Sequence, residues 1–304
     1  MGVQETVKNT ETIPQPTENA QERTILQDWI WMFTELLGFR DLIWQMLLRD
    51  LRLRYKQAVM GILWAIFVPV MVVFSGSVLK FVMATIAGQP LELGTFTGMS
   101  VKALGWAFFL GILNNGANSL LGNINLITKI YFPREAIIVS GMLVQFFDSF
   151  IGSLVLACLL VSVGAVCWTW NLLWIPLLVI LLACTALGIG MFLSCAMVFY
   201  RDVKYILSVF TSFGMFFTPI FFEVNQLGPK LSPIMLLNPV APLLEGLRLS
   251  IVRGHDLLQP LYDAQGVLEW HPGFLLYSAV FSVLCLLISW RYFHLKEKLY
   301  AEFI

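Results

Sequence analysis

Residues 125–137 read NLITKIYFPREAI. Lys129, Arg134 and Glu135 crowd around Pro133, which has no amide donor and cannot carry a helix through this segment. On either side the chain is apolar over 103–124 and 137–164. Each run is near the roughly 20 residues that a bilayer-crossing helix needs. A short charged elbow between two such runs marks a turn in water between two crossings.

Working outward, 62–86, 172–199, 205–222 and 274–293 repeat the same apolar character. The expected fold is therefore an all-α polytopic membrane protein with six transmembrane helices. The 304 residues are 58% hydrophobic and 12% charged, with mean hydropathy +0.79. A soluble domain carries about 25% charged residues, so lipid is the solvent for this chain. A seventh apolar stretch, 231–252, contains Pro233, Pro239, Pro242, Glu245 and Arg248. It reads as a pair of short re-entrant helices between spans five and six, because irregular backbone at membrane depth needs cover from protein or water. Residues 1–24 are polar and expected to be a disordered tail, with no signal-peptide pattern. Residues 25–61 form a cytoplasmic segment and 62–304 the membrane domain.

Fourteen of the 19 Lys and Arg residues fall before the first span, in the elbow, in the YRDVK turn at 200–204 and after the last span. Six spans put all four segments on one side, and cations accumulate on the cytoplasmic side. Both termini and the elbow are thus expected in the cytoplasm. Lys80, near the far end of the first span, is expected to snorkel toward the interface.

Just before the first span comes RDLIWQMLLRDLRLRYK, residues 40–56. Trp44, Leu47, Leu48, Leu51 and Tyr55 recur at helical spacing beside a polar stripe of Asp41, Gln45, Arg49, Arg52 and Lys56. Asp50 and Arg54 fall outside that stripe. The pattern predicts an amphipathic interface helix with its cations toward headgroups or a partner.

Two readings of the elbow stand side by side. It is longer than many helix connections and carries Leu126, Ile127, Ile130, Tyr131 and Phe132. A short amphipathic helix offering Ile130, Tyr131 and Phe132 to a soluble protein accounts for that; so does an ordinary loop. Within the spans, Asn114 and Asn118 share a face, and Gln145, Asp148 and Ser149 lie in the next span. Such groups face a polar path or hold helices together. Asp148 is better suited to a structural role. Phe216, Phe217, Phe221 and Phe222 end the fifth span, as an interfacial belt or as surfaces that stack on sugar rings.

Other chemistry has little support. Net charge is zero, against a nucleic-acid partner. The five cysteines lack CxxC spacing and adjacent histidines, so they read as packing residues and no metal site is expected. There is no GxxxxGK[ST] and no HExxH, and Glu223, Asp256, Asp263 and Glu269 are dispersed along the chain. No enzymatic activity and no cofactor is expected of this chain.

The succession RDLRLRYKQAVMGILWAIFVPV, SLLGNINLITKIYFPREAI, FYRDVKYIL, FFTPIFF and NPVAPLLEGLR, from about residue 40 onward, resembles the membrane permeases of type-2 ABC exporters. More narrowly, it is similar to those that export lipid-linked polysaccharide such as O-antigen, capsule and teichoic acid. The resemblance implies a homodimer in the bacterial inner membrane, served by two copies of a separate ATPase that holds ATP and Mg. It makes Asn125, Leu126, Lys129, Ile130, Tyr131, Phe132, Pro133, Arg134 and Glu135 a cytoplasmic coupling helix. Arg201, Asp202 and Lys204 become a second cytoplasmic contact. Arg49, Arg52, Arg54 and Lys56 lie on the interface helix, and 223–253 forms short outer-leaflet helices near a channel exit. The glycan would pass between protomers, with Asn114, Asn118, Gln145, Phe216, Phe217 and Phe221 as candidate lining. The rival readings are a secondary transporter, which would often show internal repeats, and an intramembrane glycolipid-processing protein.

Overall fold

The computed structural model describes residues 25–56, 93–127, 132–263 and 266–303, with isolated helical positions between 67 and 85. Lys80 and most of the expected first span, 62–86, lie outside the described residues, as do residues 1–24. Two helices come first, α1 (Ile25–Gly38) and α2 (Arg40–Lys56). They are followed by α3 (Leu93–Ala117), two single turns α4 (Ser119–Gly122) and α5 (Ile124–Ile127), and then α6 (Glu135–Ser162). After these come α7 (Trp174–Phe199), α8 (Val203–Phe213), α9 (Gly228–Met235), α10 (Val240–Arg248) and α11 (Pro272–Phe303). A small antiparallel hairpin, Leu261–Tyr262 with Leu268–Trp270, precedes α11.

Local sequence sets the helix ends. Pro133 stands two residues before α6, and Gly164 beyond its last turn takes φ 69°, a left-handed value that glycine adopts without a Cβ clash. Pro176 lies in the first turn of α7, where its missing N–H has no intrahelical acceptor to lose.

Helix α7 is the centre of the bundle, packed between α3 and α11. Phe109, Ile112 and Leu113 of α3 meet Leu178, Leu182 and Ala186 of α7 in one core. Small residues allow the approach. A Cβ on Gly188 would lie 2.8 Å from the α11 backbone at Cys285 and Leu286, and one on Gly116 would lie 3.3 Å from Gly190 Cα. Hydroxyls complete the seams: Thr185 meets Ser282 at 2.7 Å and Ser119 meets Ser194 at 3.0 Å. Close backbones and hydroxyl pairs are how helices associate where the surroundings are as apolar as the side chains.

Among the described residues, four helices are long and apolar enough to cross a membrane: Phe96–Ala117, Glu135–Ser162, Trp170–Phe199 and Pro272–Lys296. The protein is a multi-pass membrane protein, but two expectations change. The second span begins seven residues before 103, at Phe96, and ends at Ala117 rather than 124. The expected fifth span, 205–222, is instead a short apolar helix over Val203–Phe216 followed by turns. At about 1.5 Å per residue it is too short to cross roughly 30 Å of hydrocarbon unbroken. Over 231–252 the prolines give two short helices, Gly228–Met235 and Val240–Arg253, set at 109° to one another.

Candidate functional site

The elbow begins as α5, and residues 128–131, including Lys129, Ile130 and Tyr131, lie outside the described residues. Asn125 is exposed and Leu126 is half-buried against the core. Phe132 corrects the sequence reading: it is 4% exposed, packed inside this chain's own core, and so is no apolar tip offered to a partner. Pro133 is buried beside it and Arg134 half-buried. Glu135, also buried, pairs with His294 of α11 at 2.9 Å. Trp31 of α1 meets the His294 ring edge-on at 5.5 Å, Trp29 meets Trp290 at 5.8 Å, and Asp28 pairs with Arg291 at 3.3 Å. The elbow is therefore tied to the C-terminal end of α11, and α11 to α1, whose helix the sequence reading did not single out. In the YRDVK turn, Arg201 and Asp202 are exposed, and the Lys204 ammonium lies 4.9 Å from the Tyr205 ring centre.

The polar residues of the spans act mostly within the protein. Asn114 and Asn118 donate to the carbonyls of Leu110 and Asn114, each at 2.9 Å, while Asn115 reaches across to Gly141 O at 3.3 Å. Gln145 fills the space left by Gly111, where a Cβ would lie 2.1 Å from its Cδ, and donates to Ser149 at 3.1 Å. Asp148 binds both Arg54 and Tyr55 of α2. Burial, and then the neighbouring Asp148 carboxylate, hold the Tyr55 phenol well above its ordinary range, so it remains a donor. Phe216 and Phe217 are exposed, whereas Phe221 packs against the core.

The face of α2 that meets α6 carries Ile43, Met46 and Leu47. Arg54 lies on that side, which accounts for a charge outside the polar stripe; Trp44, expected on the apolar side, is exposed. Arg49, Arg52 and Lys56 point elsewhere, and Arg49 reaches Asp50 at 2.8 Å and Asn123 at 3.2 Å.

At the opposite end of the bundle lies a group that the sequence reading missed. Lys102 of α3 is fully buried, donating to Phe222 O at 2.7 Å and pairing with Glu245 at 3.3 Å. Glu245 also accepts from Arg248 Nε at 2.8 Å. Arg248 reaches Glu269 at 2.6 Å and Glu223 at 3.6 Å, and Arg253 joins Glu269 at 2.8 Å and Glu223 at 3.5 Å. Three cations and three carboxylates from α3, the 220–224 segment, α10 with its following turn, and the hairpin thus neutralise one another. Glu223 and Glu269, dispersed in sequence, are neighbours in space, but each is engaged by arginine. Among the described residues no cluster of His, Cys, Asp and Glu could hold a metal ion. The available signal was Lys102 itself, a cation at the head of an apolar run.

This network pins the short helices to α3. Gly98 permits it: a Cβ there would lie 2.7 Å from Arg248 Cδ. Nearby, Asn171 holds Gly254 O at 2.7 Å, while Trp168 and Trp170 are largely exposed.

Comparison with known proteins bears on both ends. The family model described as ABC-2 type transporter matches residues 41–252. An O-antigen export system permease protein RfbA of Klebsiella pneumoniae is 25% identical over 201 residues, 64% of this chain and 74% of that protein. A second from the same organism is 26% identical over 211 residues, 68% and 78%. One from Myxococcus xanthus is 24% identical over 218 residues, 71% and 82%.

Proposed function

The chain belongs to the ABC-2 type transporter family, and on that footing we propose that it is the permease subunit of an ATP-driven exporter. Its cargo is lipid-linked polysaccharide of the O-antigen kind, moved from the cytoplasmic side across a bacterial inner membrane. The observation that carries this reading is the run of three similar O-antigen export permeases, each aligned over about two thirds of this chain. Two copies of the chain pair in the membrane and bind two copies of a separate ATPase that supplies ATP and Mg. Both termini lie in the cytoplasm, together with the elbow and the 200–204 turn, which requires that 203–222 cross as a short helix completed by turns rather than as one unbroken span.

Asn125, Leu126 and the 128–131 segment form the handle that the ATPase grips. Phe132, Pro133 and Glu135 root that handle in the bundle, through the core and through His294. A rigid root is what a handle requires if movement at its tip is to reach α6 and α11. The short helices α9 and α10 lie in the outer leaflet, anchored by the buried ion network. Phe216 and Phe217, both exposed, are candidates to face the glycan between protomers.

The test is reconstitution with the ATPase in vesicles. Asn125→Ala with Tyr131→Ala should leave ATP hydrolysis and melting temperature near their starting values while export falls at least about tenfold. Full export by the double variant, or full export without the ATPase, would overturn the reading.

A further inference from the structure

We infer that the connection between α6 and α7 is a membrane anchor, with Trp168 and Trp170 seated among lipid headgroups and so setting the depth of the short re-entrant helices. The inference rests on the permease reading above only in calling that leaflet the outer one. Trp170 and Trp168 are 88% and 76% exposed, more than any other large apolar side chain among the described residues. They stand in residues 163–173, VGAVCWTWNLL, and no Asp, Glu, Lys or Arg occurs anywhere between Asp148 and Arg201. A turn without charge has no ion that must stay in water.

The same connection is strapped to the re-entrant pair. Helix α10 runs on as a π-turn over Leu249–Arg253, and Gly254 beyond it takes φ 59°. A helix end leaves carbonyls without partners along the chain. Here the connection supplies the donors: Cys167 N bonds Ile251 O at 3.0 Å, Cys167 Sγ donates to Val252 O at 3.0 Å, and Asn171 Nδ2 donates to Gly254 O at 2.7 Å. The fit is close, since a Cβ on Gly254 would lie 2.9 Å from Thr169 Cγ2 and 3.0 Å from Cys167 Cβ. One residue before Gly254, Arg253 enters the ion network. Wherever the two indoles settle, the end of α10 and its network are carried with them.

The surroundings select lipid as the occupant. Leu173, Leu177 and Ile180, all exposed at i, i+4 and i+7, continue the apolar surface from the tryptophans along the span Trp170–Phe199. Neither indole N–H has an acceptor among the described residues, unlike that of buried Trp270, which donates to Leu257 O at 2.9 Å. An indole with an apolar body and a free N–H suits the boundary where acyl chains meet headgroup oxygens. A sugar chain would also stack on the rings, but its hydroxyls need polar side chains, and Cys167 and Asn171 already hold carbonyls of the re-entrant segment.

The experiment uses the full chain in phosphatidylcholine nanodiscs, with the photoreactive residue p-benzoylphenylalanine replacing Trp168 or Trp170 in turn and a soluble, uncharged oligosaccharide in the buffer. After illumination, mass spectrometry should find a phosphatidylcholine adduct at each site. No adduct, an oligosaccharide adduct, or a cross-link to a second copy of the chain would overturn the inference. The setting of depth has its own readout. Trp168→Ser with Trp170→Ser should lose deuterium-exchange protection over 240–254 while the amides of α3 keep theirs, and Trp168→Phe with Trp170→Phe should retain it. Unchanged protection in the serine variant would overturn the inference as well. Neither measurement needs ATPase, ATP or cargo, so both can fail while the export reading stands. Should the chain prove to export nothing, the adducts would be unaffected.

Discussion

Among the described residues Arg248 is the most heavily committed side chain, with three carboxylates about it and 1% of its surface exposed. Burying such a group is costly, and the cost is met only while every partner stays. Glu269→Gln, which removes one partner from both Arg248 and Arg253, should therefore destabilise the protein by about 3–5 kcal/mol. A melting curve in detergent checks this; an unshifted midpoint would mean that the network is solvated after all. Packing at the same spot makes a second expectation. Gly98→Ala would push its methyl against Arg248 Cδ, 2.7 Å away, and should cost about 1–3 kcal/mol. Neither effect could be foreseen from sequence, because residues 98, 102, 223, 245, 248, 253 and 269 lie in four separate segments. Glu245 and Arg248 share α10, and besides the lone cation Lys102 their i, i+3 spacing was the legible fragment of the network.

At the scale of elements, two contacts decide how the helices stand. The first is α7 against α11, where Gly188 touches backbone at Cys285 and Leu286. Gly188→Ala must force the helices apart, since backbone cannot rotate out of the way as a side chain can. A large loss of folded yield and melting temperature is expected. Gly122→Ala, with nothing within 4 Å of its added methyl, should be neutral and serves as the control. The second contact is α2 against α6. Asp148→Asn weakens its pairing with Arg54 and Tyr55, so backbone amides over 40–56 should exchange with deuterium faster, while those of α7 should not change. Equal protection of α2 in both proteins would show that its apolar face alone holds it. The periodicity of 40–56 made α2 legible as a helix and set most of its faces: Asp41, Gln45, Arg49, Arg52 and Lys56 are exposed, Leu47 is buried and Leu48, Leu51 and Tyr55 are half-buried. Trp44 is the exception, apolar yet exposed, and Arg54, outside the polar stripe, reaches Asp148 of α6. Propensity sets that a helix forms; only a partner across the gap sets which side it buries.

For the molecule as a whole, charge distribution and bundle topology agree. Of the five cations outside the four cation-rich segments, Lys102, Arg248 and Arg253 are bound within the ion network. With Glu223, Glu245 and Glu269 they form a neutral cluster at the end of the bundle opposite the elbow. In a background with all five native cysteines replaced, Arg201→Cys should react with an impermeant maleimide only from the cytoplasmic face. Lys230→Cys should react only from the other; both side chains are exposed. The reverse pattern would invert the topology.

From the sequence alone it follows that this is a helical protein of the membrane, that no helix runs unbroken through Pro133, and that most of the cations fall in four segments. Those follow from run length, composition and charge, which are properties of neighbours along the chain. The tertiary structure alone decided that Phe132 is core, that 205–222 is a short helix and turns, and that scattered acids and bases form one neutral cluster. Each of these depends on side chains far apart in sequence sharing the same small volume, where desolvation permits a charge only beside its opposite and a ring only where a gap exists to receive it.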